Sequence, residues 1–235
     1  MKFALPIVAA ALVLAGCQRA LPSDSNDARD TRAMGAASSP ASAPRPAASV
    51  STEDATAGRA IALQGTPGAA ACASCHGANA EGNAQAAIPR LAGLAPTYIE
   101  HQLDSFADGT RAQPVMTPIA GALSARQRVQ VASYLASLRV PAPPEAPASA
   151  PMPAIVGGDA ARNIPACASC HGASAPELDG QNASYLASAL ASWKGGARHN
   201  DASGKMPAIA KALTDSEAMA IAAYYAALPA SAARK

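Results

Sequence analysis

The chain has 235 residues and a formal net charge of +2, with 50% hydrophobic residues but only 3% aromatic and 14% charged. This length allows one large domain or two small ones. With so few large rings to fill a core, small domains of this composition usually need a metal, a disulfide or a cofactor. The near-neutral charge and the lack of a Lys/Arg cluster argue against nucleic acid as a partner.

The first 17 residues have the features of an export signal. Lys2 precedes an apolar stretch at 3–14, which is too short to span a bilayer comfortably. The stretch ends in Leu-Ala-Gly-Cys, and this ending resembles the lipobox of bacterial lipoproteins. The resemblance implies that Cys17 becomes the first residue of the mature chain and carries lipid, and two or more acyl chains hold a protein stably at a membrane. Ordinary cleavage with an incidental cysteine is the alternative.

Two segments rich in Ala, Pro and Ser divide the remaining chain. Residues 18–52 contain almost no large apolar side chain, so we expect a disordered tether there. Residues 140–153 are rich in proline and predict a semi-extended spacer. After the signal at 1–17, the chain is therefore expected to fold as two domains, at 53–139 and 154–231.

The two folded segments repeat one another. The run Cys-Ala-Ser-Cys-His-Gly-Ala occurs at 72–78 and again, unchanged, at 167–173. Each copy continues with an apolar stripe at helical spacing that stops near a glycine, and with a final helix that begins in a capping box at Ser124 or Thr214. A shorter helix, cut by Pro165, is expected before the second cysteine pair. No strand-like alternation of useful length is present, so the expected fold class is all-α.

Each Cys-x-x-Cys-His run is the attachment signal of c-type haem. Positions i and i+3 of a helical turn share one face, so both sulfurs can form thioethers with the two vinyl groups of one porphyrin. The adjacent histidine then points at the iron. A single pair could instead be a redox dithiol or half of a zinc site, but here each pair precedes a histidine and lies in its own module. The residues concerned are Cys72, Cys75, Cys167 and Cys170 for attachment, with His76 and His171 as axial ligands.

A methionine follows each motif at the same place in the repeat, between the glycine-ended helix and the capped final helix. These methionines are Met116 and Met206. A methionine in a small protein is usually core filler, but the matching positions predict that both are the second axial ligands of the two irons. Two covalently bound haem c groups are therefore expected.

Two further predictions concern prolines near the two methionines and the remaining histidines. Pro118 and Pro207 lie close to them and favour an extended loop over a helix. His101 and His199 are rival axial ligands by residue type. Both are expected to be solvated surface residues.

With these motifs in place, the two modules resemble the cytochrome c4 family, di-haem proteins built from two class I cytochrome c domains. The resemblance rests on the two Cys-Ala-Ser-Cys-His-Gly runs, on Pro-x-Leu-x-Gly segments at 89–93 and 176–180, and on a Tyr-Leu-x-x-Gln-Leu-x-x-Phe-x-x-Gly-x-Arg pattern that the residues at 98–111 match in most positions. It implies that the carbonyls of Pro89 and Pro176 accept a hydrogen bond from the iron-bound imidazoles.

The resemblance and the ligand set imply a function. His/Met ligation raises the reduction potential of a haem, which suits a one-electron carrier better than an enzyme. The expected route runs from a quinol-oxidising complex or dehydrogenase to a terminal oxidase or reductase, with the lipid tether holding the carrier on the periplasmic side of a bacterial membrane. Two alternatives stay open: the cytochrome subunit of a membrane dehydrogenase complex, and a di-haem peroxidase, which needs one iron with an open coordination site.

Overall fold

The computed structural model describes residues 51–140, 151–171 and 175–230, and these residues are mainly helical. The extended pairings among them are isolated bridges. The all-α fold class expected from the sequence is therefore confirmed. The signal region with Cys17, the tether up to residue 50 and residues 141–150 of the linker lie outside the described residues, and the expected domain bounds stay predictions.

The first module packs its helices around one apolar cluster. The helix at Thr52–Gln64 (α1) crosses the helix at Ala125–Ser137 (α5) so closely at Gly58 that a Cβ atom there would lie 1.9 Å from the carbonyl oxygen of Gln130. Only glycine allows two backbones to approach in this way. Leu103, Phe106 and Val131 are among the buried residues of the cluster. The helices are α1 (Thr52–Gln64), α2 (Ala73–His76), α3 (Pro96–Asp108), α4 (Met116–Gly121) and α5 (Ala125–Ser137).

The second module repeats this order from the cysteine turn onward. Its helices are α6 (Ala168–His171), α7 (Ala183–Lys194), α8 (Lys205–Ala212) and α9 (Asp215–Ala227). The prediction of a shorter helix before the second cysteine pair is wrong. Two 3₁₀ turns, Ala154–Gly157 and Ala160–Arg162, form there instead. Gly158 at φ 96° and Asn163 at φ 54° end these turns in positive-φ conformations, which a continuous helix cannot contain.

Both capping boxes expected from the sequence are confirmed. The Ser124 side chain accepts from the Gln127 N–H, and the Gln127 side chain accepts from the Ser124 N–H at 2.8 Å. Thr214 and Glu217 make the same reciprocal pair at the start of α9, also at 2.8 Å. These bonds satisfy N–H groups that have no partner inside the helix, so the two final helices begin at equivalent residues.

The two modules belong to one compact unit and contact each other along a seam. The segment after α3 pairs in antiparallel fashion with the segment after α7. Ala112 N–H donates to Ala197 O at 2.8 Å, and His199 N–H donates to Thr110 O at 2.9 Å. Because these segments occupy equivalent positions in the repeat, the seam relates the modules by an approximate two-fold axis. In the part of the chain that the structure describes, no helix combines the length and the apolar character needed to cross a membrane.

Candidate haem sites

Each Cys-x-x-Cys-His run forms one short helical turn with the same internal bonding. His76 N–H donates to Cys72 O at 2.9 Å, and His171 N–H donates to Cys167 O at 3.1 Å. The turn places its two cysteines on one side of the backbone, as attachment to one porphyrin requires. No disulfide joins the four cysteines of the two turns, so their sulfurs are available for thioether bonds.

The serine inside each motif fixes the start of its turn. Ser74 and Ser169 each donate a 2.6 Å hydrogen bond to the carbonyl three residues earlier, and each hydroxyl lies 3.8 Å from the sulfur of the next cysteine. Burial raises the pKa of the Cys72 thiol and of the Cys167 thiol above the ordinary value. Both therefore stay protonated at neutral pH until a thioether forms.

The two motif histidines are held through the same ring nitrogen. Nδ1 of His76 lies 2.9 Å from Pro89 O, and Nδ1 of His171 lies 2.7 Å from Pro176 O. A carbonyl can only accept, so we assign the proton to Nδ1, which leaves Nε2 with the lone pair that a metal needs. Burial lowers the pKa of both imidazoles, and for His171 the charge of Arg198 lowers it further. The neutral imidazole is the form that binds iron, so this donor set fits haem c.

Met116 is the first residue of α4 and Met206 the second residue of α8, and a side-chain acceptor fixes the first turn of each helix. Met116 N–H donates to Gln113 Oε1 at 2.6 Å, and Met206 N–H donates to Asp201 Oδ2 at 2.8 Å. Both methionine side chains are half-buried. Met116 packs against the same apolar cluster as Cys72. Their ligation of iron stays a prediction.

The prediction of an extended loop around the two methionines is wrong. Pro118 is the third residue of α4, and Pro207 is the third residue of α8. The N–H groups in the first turn of a helix have no intrahelical acceptor, so proline costs no hydrogen bond at these positions. Each proline therefore lies in the first turn of a helix, at a place where the sequence predicted an extended loop.

The other two histidines lie at the edge of the seam between the modules. His101 Nε2 lies 3.1 Å from Asn200 O, and the backbone of His199 pairs with Thr110 as described above. Both side chains are exposed. Their exposure agrees with the expectation that both are solvated surface residues.

Two arginines at equivalent repeat positions are held against aromatic rings of their own modules. The guanidinium carbon of Arg111 lies 4.5 Å from the centre of the Phe106 ring, and that of Arg198 lies 4.3 Å from the centre of the Trp193 ring. Such cation–π contacts orient a planar guanidinium as well as attract it. The sequence pattern at 98–111 ends at Arg111 but gave this arginine no function.

The same two arginines bond across the seam. Arg111 donates to the Tyr185 hydroxyl at 3.0 Å, and Arg198 donates to the Tyr98 hydroxyl at 3.4 Å. Both also donate to one acceptor, Gln102 Oε1, each at 2.9 Å. Gln102 and Arg198 are buried. The seam therefore has a polar centre to which both modules contribute.

A second group of cross-module bonds surrounds Pro89. Gln181 Oε1 accepts from Arg90 N–H at 2.8 Å, Gln181 Nε2 donates to Arg90 O at 3.0 Å, and Asn182 Nδ2 donates to Ile88 O at 2.7 Å. Sequence reasoning missed Gln181 and Asn182. The available signal was weak: both directly follow the glycine of the second Pro-x-Leu-x-Gly segment, where a polar pair is ordinary.

Family models match both modules. Residues 55–139 match the model described as cytochrome c, and residues 157–224 match the model described as cytochrome c oxidase, cbb3-type, subunit III. One similar protein is a thiosulfate dehydrogenase electron acceptor from Stutzerimonas stutzeri, which is 43% identical over 72% of this chain and 85% of its own length. Another is a cytochrome c4 from Pseudomonas aeruginosa, 35% identical over 69% of this chain and 86% of its own length.

The fold also matches a solved structure, the thiosulfate dehydrogenase of Marichromatium purpuratum, with a TM-score of 0.67 and 36% identity. The match covers 74% of this chain and 40% of that one, so this chain corresponds to less than half of that protein. With the cytochrome c4 relative matched over most of its length, the chain belongs to the cytochrome c4 family: it is a di-haem cytochrome c that transfers electrons and is not an enzyme.

Proposed function

We propose that this chain accepts electrons from a dehydrogenase of the thiosulfate dehydrogenase class and passes them singly to a terminal oxidase or reductase. The observation that carries the proposal is the 43% identity to a protein named as the electron acceptor of such an enzyme, over 85% of that protein's length. A quinol-oxidising complex is the competing donor. The family shared with the cytochromes c4 supports a carrier in either case.

In this proposal each module holds its haem with residues from three parts of the repeat. When bound, haem supplies an iron that changes between the ferric and ferrous states. The chain supplies two thioether bonds, a neutral imidazole oriented by a proline carbonyl, and an uncharged, soft methionine sulfur that favours the reduced state. The proposed residues are Cys72, Cys75, His76, Pro89 and Met116 in the first module, and Cys167, Cys170, His171, Pro176 and Met206 in the second.

The seam supports electron passage between the two modules. The shared acceptor Gln102 and the paired segments after α3 and α7 hold the modules at a fixed separation. With a haem bound in each module, this arrangement would allow an electron to pass from one module to the other without movement of the modules.

The proposal also includes attachment to a membrane. Cys17 ends a Leu-Ala-Gly-Cys sequence after a short apolar stretch, and lipid on this cysteine would hold the chain on the periplasmic side of a bacterial membrane. Residues 18–52, poor in large apolar side chains, would then serve as the tether between lipid and the first module.

The proposal is tested with the full, haem-loaded chain. A thiosulfate dehydrogenase and thiosulfate are mixed with the oxidised chain, and reduction of both haems is followed by absorbance. We expect complete reduction within the turnover time of the dehydrogenase. In a matched reaction, a quinol-oxidising complex and quinol replace the dehydrogenase. Reduction only in the matched reaction, with full reduction by a chemical reductant as control, would assign the donor to quinol oxidation instead.

A second candidate is a permanent subunit of a dehydrogenase. The specific observation in its favour is the Marichromatium purpuratum structure, in which the region similar to this chain is part of a longer chain named thiosulfate dehydrogenase. Size-exclusion chromatography of the chain with a thiosulfate dehydrogenase at micromolar concentration separates the two candidates. A carrier elutes alone and a subunit elutes with the enzyme.

A further inference from the structure

The carbonyl of Pro89 has a special position because it accepts the hydrogen bond from His76 Nδ1. The peptide that carries this carbonyl also carries the Arg90 N–H, and the peptide before it has no N–H because residue 89 is proline. On one side Ile88 exchanges backbone hydrogen bonds with Asn83, both at 2.9 Å, within the first module. On the other side the next residue, Arg90, bonds to the second module.

Two consecutive residues of the second module hold both neighbours of Pro89. Gln181, which is only 3% exposed, uses both ends of its amide: it accepts from Arg90 N–H at 2.8 Å and donates to Arg90 O at 3.0 Å. Asn182 Nδ2 donates to Ile88 O at 2.7 Å. The three bonds fix the peptides before and after Pro89, and hence the direction of its carbonyl.

The segment at Pro176 is tied differently. Ala175, directly before this proline, donates its N–H to Cys170 O at 3.0 Å. That bond connects the segment to the cysteine turn of its own module. In the second copy a bond within the module holds the residue before the proline, whereas in the first copy the other module bonds to both neighbours of the proline. The second segment contacts the first module further along, where Arg90 donates to Asp179 O at 3.1 Å.

We propose that Gln181 and Asn182 are positioning residues for the first haem site: from the second module they fix the Pro89 carbonyl against His76 Nδ1 and thereby set the reduction potential of that site. The inference rests on the proposed ligation of iron by His76. A hydrogen bond from Nδ1–H makes the imidazole a stronger donor to iron and stabilises the ferric state. If the carbonyl drifts away, the donor weakens and the potential of the first site rises.

The test uses uncharged replacements in the haem-loaded chain, so that no new charge shifts either potential. Gln181→Met keeps the length of the side chain and removes all its hydrogen bonds. Asn182→Ser removes the bond to Ile88 but leaves an oxygen that can still cap α7, where Asn182 now accepts from Tyr185 N–H at 2.8 Å. His101→Ala is the matched control, because it removes another cross-module contact, between His101 Nε2 and the Asn200 carbonyl, outside the Pro89 segment.

We expect both test variants to raise the midpoint potential of the first site, with the second site and the control unchanged. In proton NMR of the oxidised protein, the His76 Nδ1–H signal should move in the same two variants. Equal shifts in all three variants, or in both sites, would show general loosening of the seam and overturn the proposal, as would unchanged potentials in the Gln181→Met/Asn182→Ser double variant. A His76 ring without a paramagnetic shift in the unaltered protein would instead refute its ligation of iron.

Discussion

At the scale of single residues, each haem site depends on a few short contacts that recur in both modules. The histidine ring is oriented by a proline carbonyl at 2.9 Å in the first module and at 2.7 Å in the second. The motif serine bonds to the same carbonyl position in each copy. Because both sites use equivalent contacts, a change in one site has an internal control in the other.

Cys75→Ala uses this control. The variant should attach the haem of the first module through the remaining Cys72 thioether alone, while the second module keeps both bonds. Haem staining after denaturing electrophoresis, followed by mass spectrometry of the proteolysed chain, measures attachment at each site. Extraction of all haem from the unaltered protein by acid acetone would show that attachment is not covalent.

At the scale of elements, the crossing of α1 and α5 brings two helix backbones of the first module into close contact. A Cβ atom at Gly58 would meet the Gln130 backbone at 1.9 Å and the Tyr134 Cβ at 3.0 Å. Neither backbone nor Cβ can rotate away, so a side chain at this position must separate the helices.

Gly58→Ala should therefore destabilise the protein by about 3 kcal/mol, the upper part of the usual range for overpacking. Thermal unfolding of the haem-loaded chain measures the effect. Gly121→Ala is the matched control, since no atom of the described residues lies within 4 Å of the Cβ that it adds in α4. Removal of glycine from a helix there should change stability by at most about 1 kcal/mol, in the stabilising direction. Equal effects of the two substitutions would contradict the crossing geometry.

The capping box of α9 contains a carboxyl group, so its contribution to stability should depend on pH, unlike that of the capping box of α5. Hydrogen bonds from Arg162, at 2.6 and 3.0 Å, lower the pKa of Glu217 to about 2. A depressed carboxyl pKa adds stability at pH values above the unfolded pKa, about 4.3, and this stability is lost as the pH falls towards 2. Glu217→Gln gives the capping box of α9 the same glutamine that α5 has at Gln127. Between these pH values, the melting temperature of the variant should fall less than that of the unaltered protein. An unchanged acid profile would show that the ion pair contributes nothing.

At the scale of the whole molecule, the seam makes the two modules parts of one unit. Arg111 and Arg198 both bond to Gln102 and both cross to a tyrosine of the other module. The bonds come from equivalent repeat positions, but Gln102 belongs to one module only. The approximate symmetry is thus broken at its centre.

The proposed lipid anchor also acts on the whole molecule. Cys17→Ser should release the mature chain into the soluble periplasmic fraction, or stall its processing, because lipid is added to the cysteine thiol. Fractionation of cells that express each form measures this. Membrane association that persists in the Cys17→Ser chain would refute the lipid anchor and leave electron transfer untouched.

The sequence by itself determined the features that depend on residues close together in the chain. The spacing of Cys72, Cys75 and His76 defines one helical turn, and Ser124 with Gln127 defines a helix start, since each involves bonds over three or four residues. The all-α class followed from the same local patterns. Two local expectations failed, the helix before Cys167 and the loop around the methionines, because single prolines and glycines do not show whether they lie inside a helix start or end a turn.

Only the tertiary structure decided which side chains cross between the modules. Gln181 bonds to Arg90 across 91 positions of the chain, and Arg198 bonds to Gln102 across 96. Spacing within one module carries no information about such pairs, because the docking of two folded surfaces creates them. A buried amide or guanidinium must be hydrogen-bonded, but its partner is fixed only when the two surfaces meet. The contacts that distinguish the first haem site from the second are therefore properties of the assembled pair of modules.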